Sequence, residues 1–388
     1  MKRYPFARYL PILLPFFLFM ISFAAVQNGP SVQRVNSGEL HPDSVQAETR
    51  SGRVLYKQAC ATCHGIDGWG AAQTQLGFQT PTPDFSDCNF ATREPDADWI
   101  AVAHQGGPVR GFASDMPAFG EALSTEQLQR IMDHIRTLCT DKDWPRGELN
   151  LPRPLVTEKA YPEDEAVLSS AIDIENTGAV MNELVYEQRF GARNQLELVV
   201  PFGFQESAIG GWNGGQLGDV ALGVKRALYH NLKSGSIFSL SGEVILPTGD
   251  RATGFGKGTT ILEPFASYGQ ILPAGTFLQM QGGLELPMIR SKAAEEAFWR
   301  AALGKSLTRG QWGRTWSPMV EVLGASELES GAETQWDLVP QLQVTLNTRQ
   351  HIMLNVGVRI PADDPTRDTQ VMVYLLWDWF DGGLFEGW

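Results

Sequence analysis

The feature that most constrains this chain is the alternation of apolar and polar residues that runs from about residue 165 to its end. In Gln335–Leu346, Trp336, Leu338, Leu342, Val344 and Leu346 fall on one side, and Gln335, Asp337, Gln341, Gln343 and Thr345 on the other. The same period of two recurs in 351–360, 277–286 and 237–246. Successive side chains of a strand point to opposite faces, so this pattern marks strands with one apolar and one polar face. Segments of about ten residues with this texture fit a transmembrane β-barrel with its apolar face outward. A soluble barrel or sandwich with the apolar face inward remains open, because alternation alone does not distinguish inside from outside.

The connections between strands also alternate. Short turns are expected at 191–194, 231–235, 272–275, 308–313 and 347–350. Longer loops are expected at 205–218, 247–258, 287–295, 325–333 and 361–368. Outer-membrane barrels have short periplasmic turns and longer outer loops. Eleven strands are read between Val180 and Phe380, and a twelfth at Glu165–Ile174 makes the count even. Aromatics crowd the end at Trp377, Trp379, Phe380, Phe385 and Trp388, as suits a membrane interface. A run of inward positions is ionisable, including Glu183, Glu187, Arg189, Glu197, Lys225, Glu243, Glu263, Glu285, Arg300, Glu321, Asp337 and Arg359. This set reads either as a cation pathway for a small solute or ion, or as an internal ion-pair network filling a narrow lumen.

The first part of the chain is different. Lys2, Arg3 and Arg8 precede an apolar run from Leu10 to Ala25, the pattern of an export signal over 1–25. Residues 26–48 are polar and expected to be disordered. Residues 49–140 read as a compact helical unit. Residues 141–164 carry Pro145, Pro152, Pro154 and Pro162 and read as an extended linker. The whole is thus a multidomain α + β chain: a small all-α domain followed by an antiparallel barrel. With a net charge of −13, nothing here suits the neutralisation of phosphates, and nucleic acid is an unsuitable partner.

Within the helical unit, Ser124 and Gln127 form a capping box for a helix bearing Leu128, Ile131, Ile135 and Leu138 on one face. Val54, Leu55 and Tyr56 lie on an earlier helix that runs into Cys60-Ala61-Thr62-Cys63-His64. This C-x-x-C-H spacing is that of covalent haem attachment. Two thiols one helical turn apart reach two vinyl groups of one porphyrin, and the adjacent His64 then faces the iron. Zinc would need further ligands at paired spacing, which Cys88 and Cys139 do not supply. The second axial ligand is expected at Met116, on the Pro-stiffened loop Asp115–Gly120, with His104 and His134 as rivals. Met/His ligation suits electron transfer, and a haem enzyme such as a peroxidase would need an open sixth position.

The Cys60–Gly70 run, Met116-Pro117 and the final helix together resemble a class I cytochrome c over about residues 49–140. The resemblance implies an all-α domain, one covalent haem c, electron transfer in place of catalysis, and periplasmic redox proteins as partners. The chain departs from that pattern in carrying Cys88 and Cys139, which bracket the Met loop and the final helix. In an oxidising compartment the two are expected to pair, a cross-link worth about 4 kcal/mol in the chain-entropy model. The run Leu246-Pro247-Thr248-Gly249-Asp250 is similar to outer-membrane barrels of the phenol-degradation meta-pathway type. That similarity covers about residues 175–380 and implies an outer-membrane barrel, surrounded by outer-membrane lipid, of a family that includes transporters. An even strand count puts both chain ends on one side of the membrane, with the cytochrome domain expected in the periplasm.

Overall fold

The computed structural model describes residues 50–379 except 176–177, 207–210 and 365. The expected export signal, the segment 26–48 and the terminal aromatics Phe380, Phe385 and Trp388 lie outside the described residues. The described chain forms two compact units that divide between Gly147 and Glu148.

The first unit is helical. Its elements are α1 (Gly52–Ala59), α2 (Ala61–His64), α3 (Cys88–Ala91), α4 (Asp96–Gln105) and α5 (Thr125–Ile135). Pro95 precedes α4, Asp96 and Asp98 lie in its first turn where acids complement the helix dipole, and Gly106 at φ 86° ends it. Both halves of the Ser124/Gln127 capping box form, at 3.3 and 2.8 Å. The core gathers Leu55 and Tyr56 of α1, Ile100 and Ala101 of α4, and Leu128, Ile131, Met132 and Ile135 of α5. Gly52 sets the crossing of α1 on α5, because a Cβ there would meet the Arg130 carbonyl oxygen at 1.8 Å. Helix α5 stops at Ile135, short of the expected Leu138. Arg136 caps it with helical backbone angles, and the chain then tightens into i→i−3 turns, Thr137 bonding to the His134 carbonyl and Leu138 to that of Ile135, each at 2.9 Å. The Arg136 guanidinium bonds Asp96 at 2.8 Å and the Glu94 carbonyl, and lies over Trp99 at 4.2 Å. Cys88 and Cys139 are joined in a disulfide that ties α3 to the segment following α5.

The second unit is a closed barrel. Its strands are β1 (Glu165–Asp173), β2 (Ala179–Phe190), β3 (Asn194–Glu206), β4 (Trp212–Leu217), β5 (Ala221–Asn231), β6 (Ser236–Ile245) and β7 (Ile261–Ile271). The chain continues through β8 (Thr276–Pro287), β9 (Glu296–Lys305), β10 (Leu307–Thr308), β11 (Thr315–Glu327), β12 (Gln335–Thr345), β13 (Ile352–Pro361) and β14 (Gln370–Asp378). Twelve of these close an antiparallel ring: β1 pairs with β14 and β9 with β11. β4 extends β3 as a hairpin outside the ring, and β10 continues the edge of β9 onto β11.

Alternation decides the faces. Leu184, Leu198, Val224, Leu240, Met280, Trp336 and Val356 stand exposed on the outer wall. Gln195, Gln279, Gln341 and Asn355 are fully buried on the inner wall. The barrel is therefore apolar outside and polar inside, the reverse of a soluble β-domain. Glu165 pairs with Asp378 on one side and Glu187 on the other, so both ends of the barrel segment lie at the rim carrying the short turns. No helix among the described residues is long and apolar enough to cross a membrane.

The expected linker over 141–164 is corrected in its second half. Residues 148–164 belong to the barrel unit and thread its lumen as a strap. Leu149 and Tyr161 pack against Ala227 and Ile237 beside the 232–235 turn, and Leu151 packs on Phe277 and Met319. The strap rises from this rim to an apex near residues 155–158 and returns to β1. Its prolines do keep it irregular, and for that reason its backbone groups bond to the wall and not to one another. The amides of Leu155, Val156 and Thr157 donate to Glu321 at 2.9, 3.1 and 2.7 Å. Gln279 donates to the Pro152 carbonyl at 2.8 Å, and Arg300 to that of Val156 at 3.2 Å.

Candidate functional site: the Cys60–His64 helix and the Met116 loop

Cys60 caps α1, and Cys63 and His64 lie on α2 one turn further. The chain bends between the two helices, and the amides of Cys63 and His64 both donate to the Cys60 carbonyl at 3.2 and 2.9 Å. The two thiols are free and half-buried. Burial, with the adjacent Cys63, pushes the Cys60 thiol up to about 11. A redox dithiol works through a depressed thiol, so this environment does not suit one.

Tyr56 fixes the backbone of the motif. Its hydroxyl donates to the carbonyls of His64 at 3.2 Å and Gly65 at 2.8 Å. Burial pushes the Tyr56 phenol above its ordinary value, which keeps it a donor. The His64 ring stacks on Phe85 at 4.9 Å, and Phe85 in turn meets Trp99 at 5.3 Å. Burial lowers the His64 imidazole to about 4, so the ring is neutral at physiological pH, the form that ligates metals. Its Nδ1 is buried with no hydrogen-bond partner.

Met116 is half-buried on the loop between α4 and α5. Its carbonyl accepts from the Gly107 amide at 3.0 Å. The amides of Phe119 and Gly120 donate to the Ala103 and His104 carbonyls, each at 3.0 Å. The loop is thereby pinned to the last turn of α4. Thr80 donates to the Asp115 carboxylate, which ties the preceding segment to it. Of the rival ligands, His104 lies with its ring against Gly120 and its Nδ1 2.7 Å from Gln105 Nε2, and His134 packs edge-on against Tyr56 at 5.3 Å.

These residues fit a haem. The motif offers two unpaired thiols and a neutral, half-buried imidazole whose Nδ1 is buried and unsatisfied. Ile66 and Trp69, just after the motif, are 61% and 67% exposed, and Phe112 is also exposed near Met116 in sequence. Apolar side chains left bare in this way suit contact with a flat apolar group. Sequence reasoning missed Tyr56 as the clamp on His64; its spacing of eight residues from the histidine is the only signal it leaves.

The lumen is the second polar centre. Arg153 of the strap bridges Glu165 at 2.5 Å, Glu187 at 2.8 Å and Glu158 at 2.9 Å. Lys159 pairs with Glu163 and Glu165, and Lys225 lies 3.4 Å from Glu158. Of the ionisable set expected to line the lumen, Glu187, Arg189, Lys225, Arg300 and Glu321 meet the strap. Asp337 instead pairs with Arg359 and Arg367 toward the long-loop rim. Arg153, Glu158, Lys159 and Glu163 escaped the sequence reading, although charged residues at such density beside prolines were a usable signal.

Residues 47–135 match the family model described as cytochrome c oxidase, cbb3-type, subunit III. The Cbb3-type cytochrome c oxidase subunit FixP of Azorhizobium caulinodans is 28% identical over 103 residues, which cover 26% of this chain and 32% of that protein. The match thus spans about a third of that relative's length. Among solved structures, the NanC porin aligns with a TM-score of 0.39 at 9% identity, over 55% of this chain and 98% of its own. The KdgM porin aligns at 0.38 and 8%, over 55% and 99%. The β-domain of the Bordetella autotransporter BrkA aligns at 0.35 and 11%, over 55% and 97%. The chain joins a c-type cytochrome domain, of the kind found in subunit III of cbb3-type oxidases, to a closed twelve-stranded β-barrel.

Proposed function

We propose that this protein is an electron carrier anchored in an outer membrane. Cys60 and Cys63 would hold one haem c covalently, and His64 and Met116 would ligate its iron. When bound, that group supplies reversible one-electron transfer, and Met/His ligation favours a raised potential. The chain's own residues set the conditions. Tyr56 holds the His64 backbone, burial keeps the imidazole neutral, and the Gly107, Phe119 and Gly120 amides keep the Met116 loop from swinging away.

The observation that carries this reading is the covalent continuity of a C-x-x-C-H cytochrome domain with a barrel whose lumen is plugged by its own chain in the half nearest the short turns. A plugged lumen favours an anchor over a transporter or an open pore. An apolar outer wall supports a place in lipid. Short turns are periplasmic in barrels of this type, and the strap enters at that rim, which supports a periplasmic cytochrome domain. Exchange would then be with periplasmic redox proteins. The apolar band of such barrels is about 25 Å tall, so passage to the cell exterior would require a further cofactor or protein.

Protease added to intact cells tests the placement. The haem-bearing fragment should stay protected until the outer membrane is permeabilised. Its release from intact cells would place the domain outside and overturn the reading.

A further inference from the structure

The barrel is not filled throughout. The strap occupies the half nearest the short turns, and its apex faces the half toward the long loops. Glu183, whose place in the register of β2 directs it inward, is nonetheless solvent-exposed, so that outer half is wet. At the floor of this vestibule stand three carboxylates from three places in the chain: Glu158 from the strap apex, Glu187 from β2 and Glu197 from β3. Their oxygens lie within 4.8 Å of one another.

Glu187 and Glu197 are direct cross-strand partners, an arrangement that is unfavourable for like charges unless something neutralises them. The cations nearby do not suffice. Arg153 takes one oxygen of Glu187 and one of Glu158, and is shared with Glu165. Lys159 is committed to Glu163 and Glu165. Lys225 reaches only Glu158, at 3.4 Å. Glu197 accepts a bond from Gln195 at 3.4 Å and forms no ion pair among the described residues. Glu187 is fully buried, yet its Oε2 has no hydrogen-bond partner. Arg153 serves only one oxygen of the Glu187 carboxylate, and the other is buried without a donor, a position that a cation bound among the three acids would fill.

We propose that Glu158, Glu187 and Glu197 bind a divalent cation of the calcium class at the floor of the vestibule. Calcium takes six to eight oxygens at about 2.3–2.6 Å in flexible geometry, which three carboxylates from separate places in the chain, with water, can supply. Magnesium, at about 2.0–2.1 Å, demands a near-ideal octahedron, keeps several of its waters and is held by one or two carboxylates, so it suits such a set less well. Glu158 is 16% exposed, which leaves room for water to complete the shell. Glu243 and Glu263, inward on β6 and β7 nearer the long loops, place further negative charge along the approach, and a low-dielectric cleft focuses such a field on an entering cation. One ligand comes from the strap and two from the wall, so the cation would also lock the strap in place. The site depends on the barrel and strap alone, whatever the cytochrome domain does.

The test uses the full-length protein in detergent, stripped with a chelator and titrated calorimetrically with Ca²⁺ alone and, in parallel, with Mg²⁺ alone. The expected result is one Ca²⁺ per chain, weaker Mg²⁺ binding, and a melting midpoint that rises with Ca²⁺. Glu197→Gln and Glu158→Gln should each weaken Ca²⁺ binding by about tenfold or more, as loss of one charged ligand does, while Glu121→Gln on the cytochrome domain leaves it unchanged. Should a Gln variant fail to fold, as judged by heat-modifiable gel mobility, Glu197→Asp replaces it, with the same expectation. Absence of Ca²⁺ binding to the wild type would mean that protons neutralise the cluster. That result, or equal binding by wild type and variants, would overturn the proposal.

Discussion

The strap's hold on the barrel can be tested at one residue. Arg153 has a side chain only 9% exposed, and it faces Glu165 and Glu187, which are 1% and 0% exposed. Replacing it with alanine leaves both carboxylates in the lumen without this guanidinium. Breaking a buried pair by removing one partner costs about 3–5 kcal/mol, because the remaining charge is uncompensated. For a unit of this size each kcal/mol moves the melting midpoint by about 2–4 °C. Arg153→Ala should therefore lower the barrel's midpoint by about 6–20 °C. The control is Arg290→Ala. Arg290 also forms an ion pair, with Glu295 at 2.7 Å, but it is 77% exposed. Surface pairs contribute about 0–1 kcal/mol, so that variant should melt within a few degrees of wild type. Heat-modifiable gel mobility at a fixed heating rate reads both. Equal midpoints for Arg153→Ala, Arg290→Ala and wild type would refute the docking of the strap in the lumen.

Replacing residues 149–161 with a Gly/Ser segment of equal length should convert a barrel without steady conductance in planar bilayers into an open channel; equal conductance before and after would show that the strap does not fill the lumen. Met116→Ala should abolish the weak long-wavelength sulfur-to-iron band of the oxidised spectrum and lower the reduction potential, whereas persistence of the band would assign the ligand elsewhere. Converting both Cys88 and Cys139 to Ser removes a cross-link spanning 51 residues and should destabilise the helical unit by about 2–5 kcal/mol in chemical denaturation, and an unchanged midpoint would count against its stabilising role.

The legible parts of this fold are those whose signal is local. A period of two is written into each strand separately, so β6, β8, β12 and β13 stand where the alternation places them, and the even strand count follows. The capping box of α5 and the Cys60–His64 spacing are likewise properties of a few adjacent residues. The strap was not legible for the opposite reason. Its prolines read as a linker because they block regular structure, and they do block it. What holds Leu155, Val156 and Thr157 is Glu321, far along the chain on β11, and no local pattern announces that partner. The inward ionisable residues were visible as a set, but their pairing was not. Arg153 finds Glu187 only once the barrel has closed around it. The end of α5 differs by one turn: Leu138 keeps the apolar spacing, and an i→i−3 turn that carries it onward leaves the same apolar period as a continued α-helix.

Covalent haem and membrane barrel in one polypeptide are tested most directly by haem-dependent peroxidase staining of denatured outer-membrane fractions on a gel run with and without boiling. A stained band is expected at the full chain's mobility that survives boiling and shifts as the barrel unfolds, with one haem per chain by pyridine haemochrome, and with loss of the stain in Cys60→Ala/Cys63→Ala. A full-length chain in the outer membrane with no covalent haem, or a stained chain found only in the soluble fraction, would contradict this expectation.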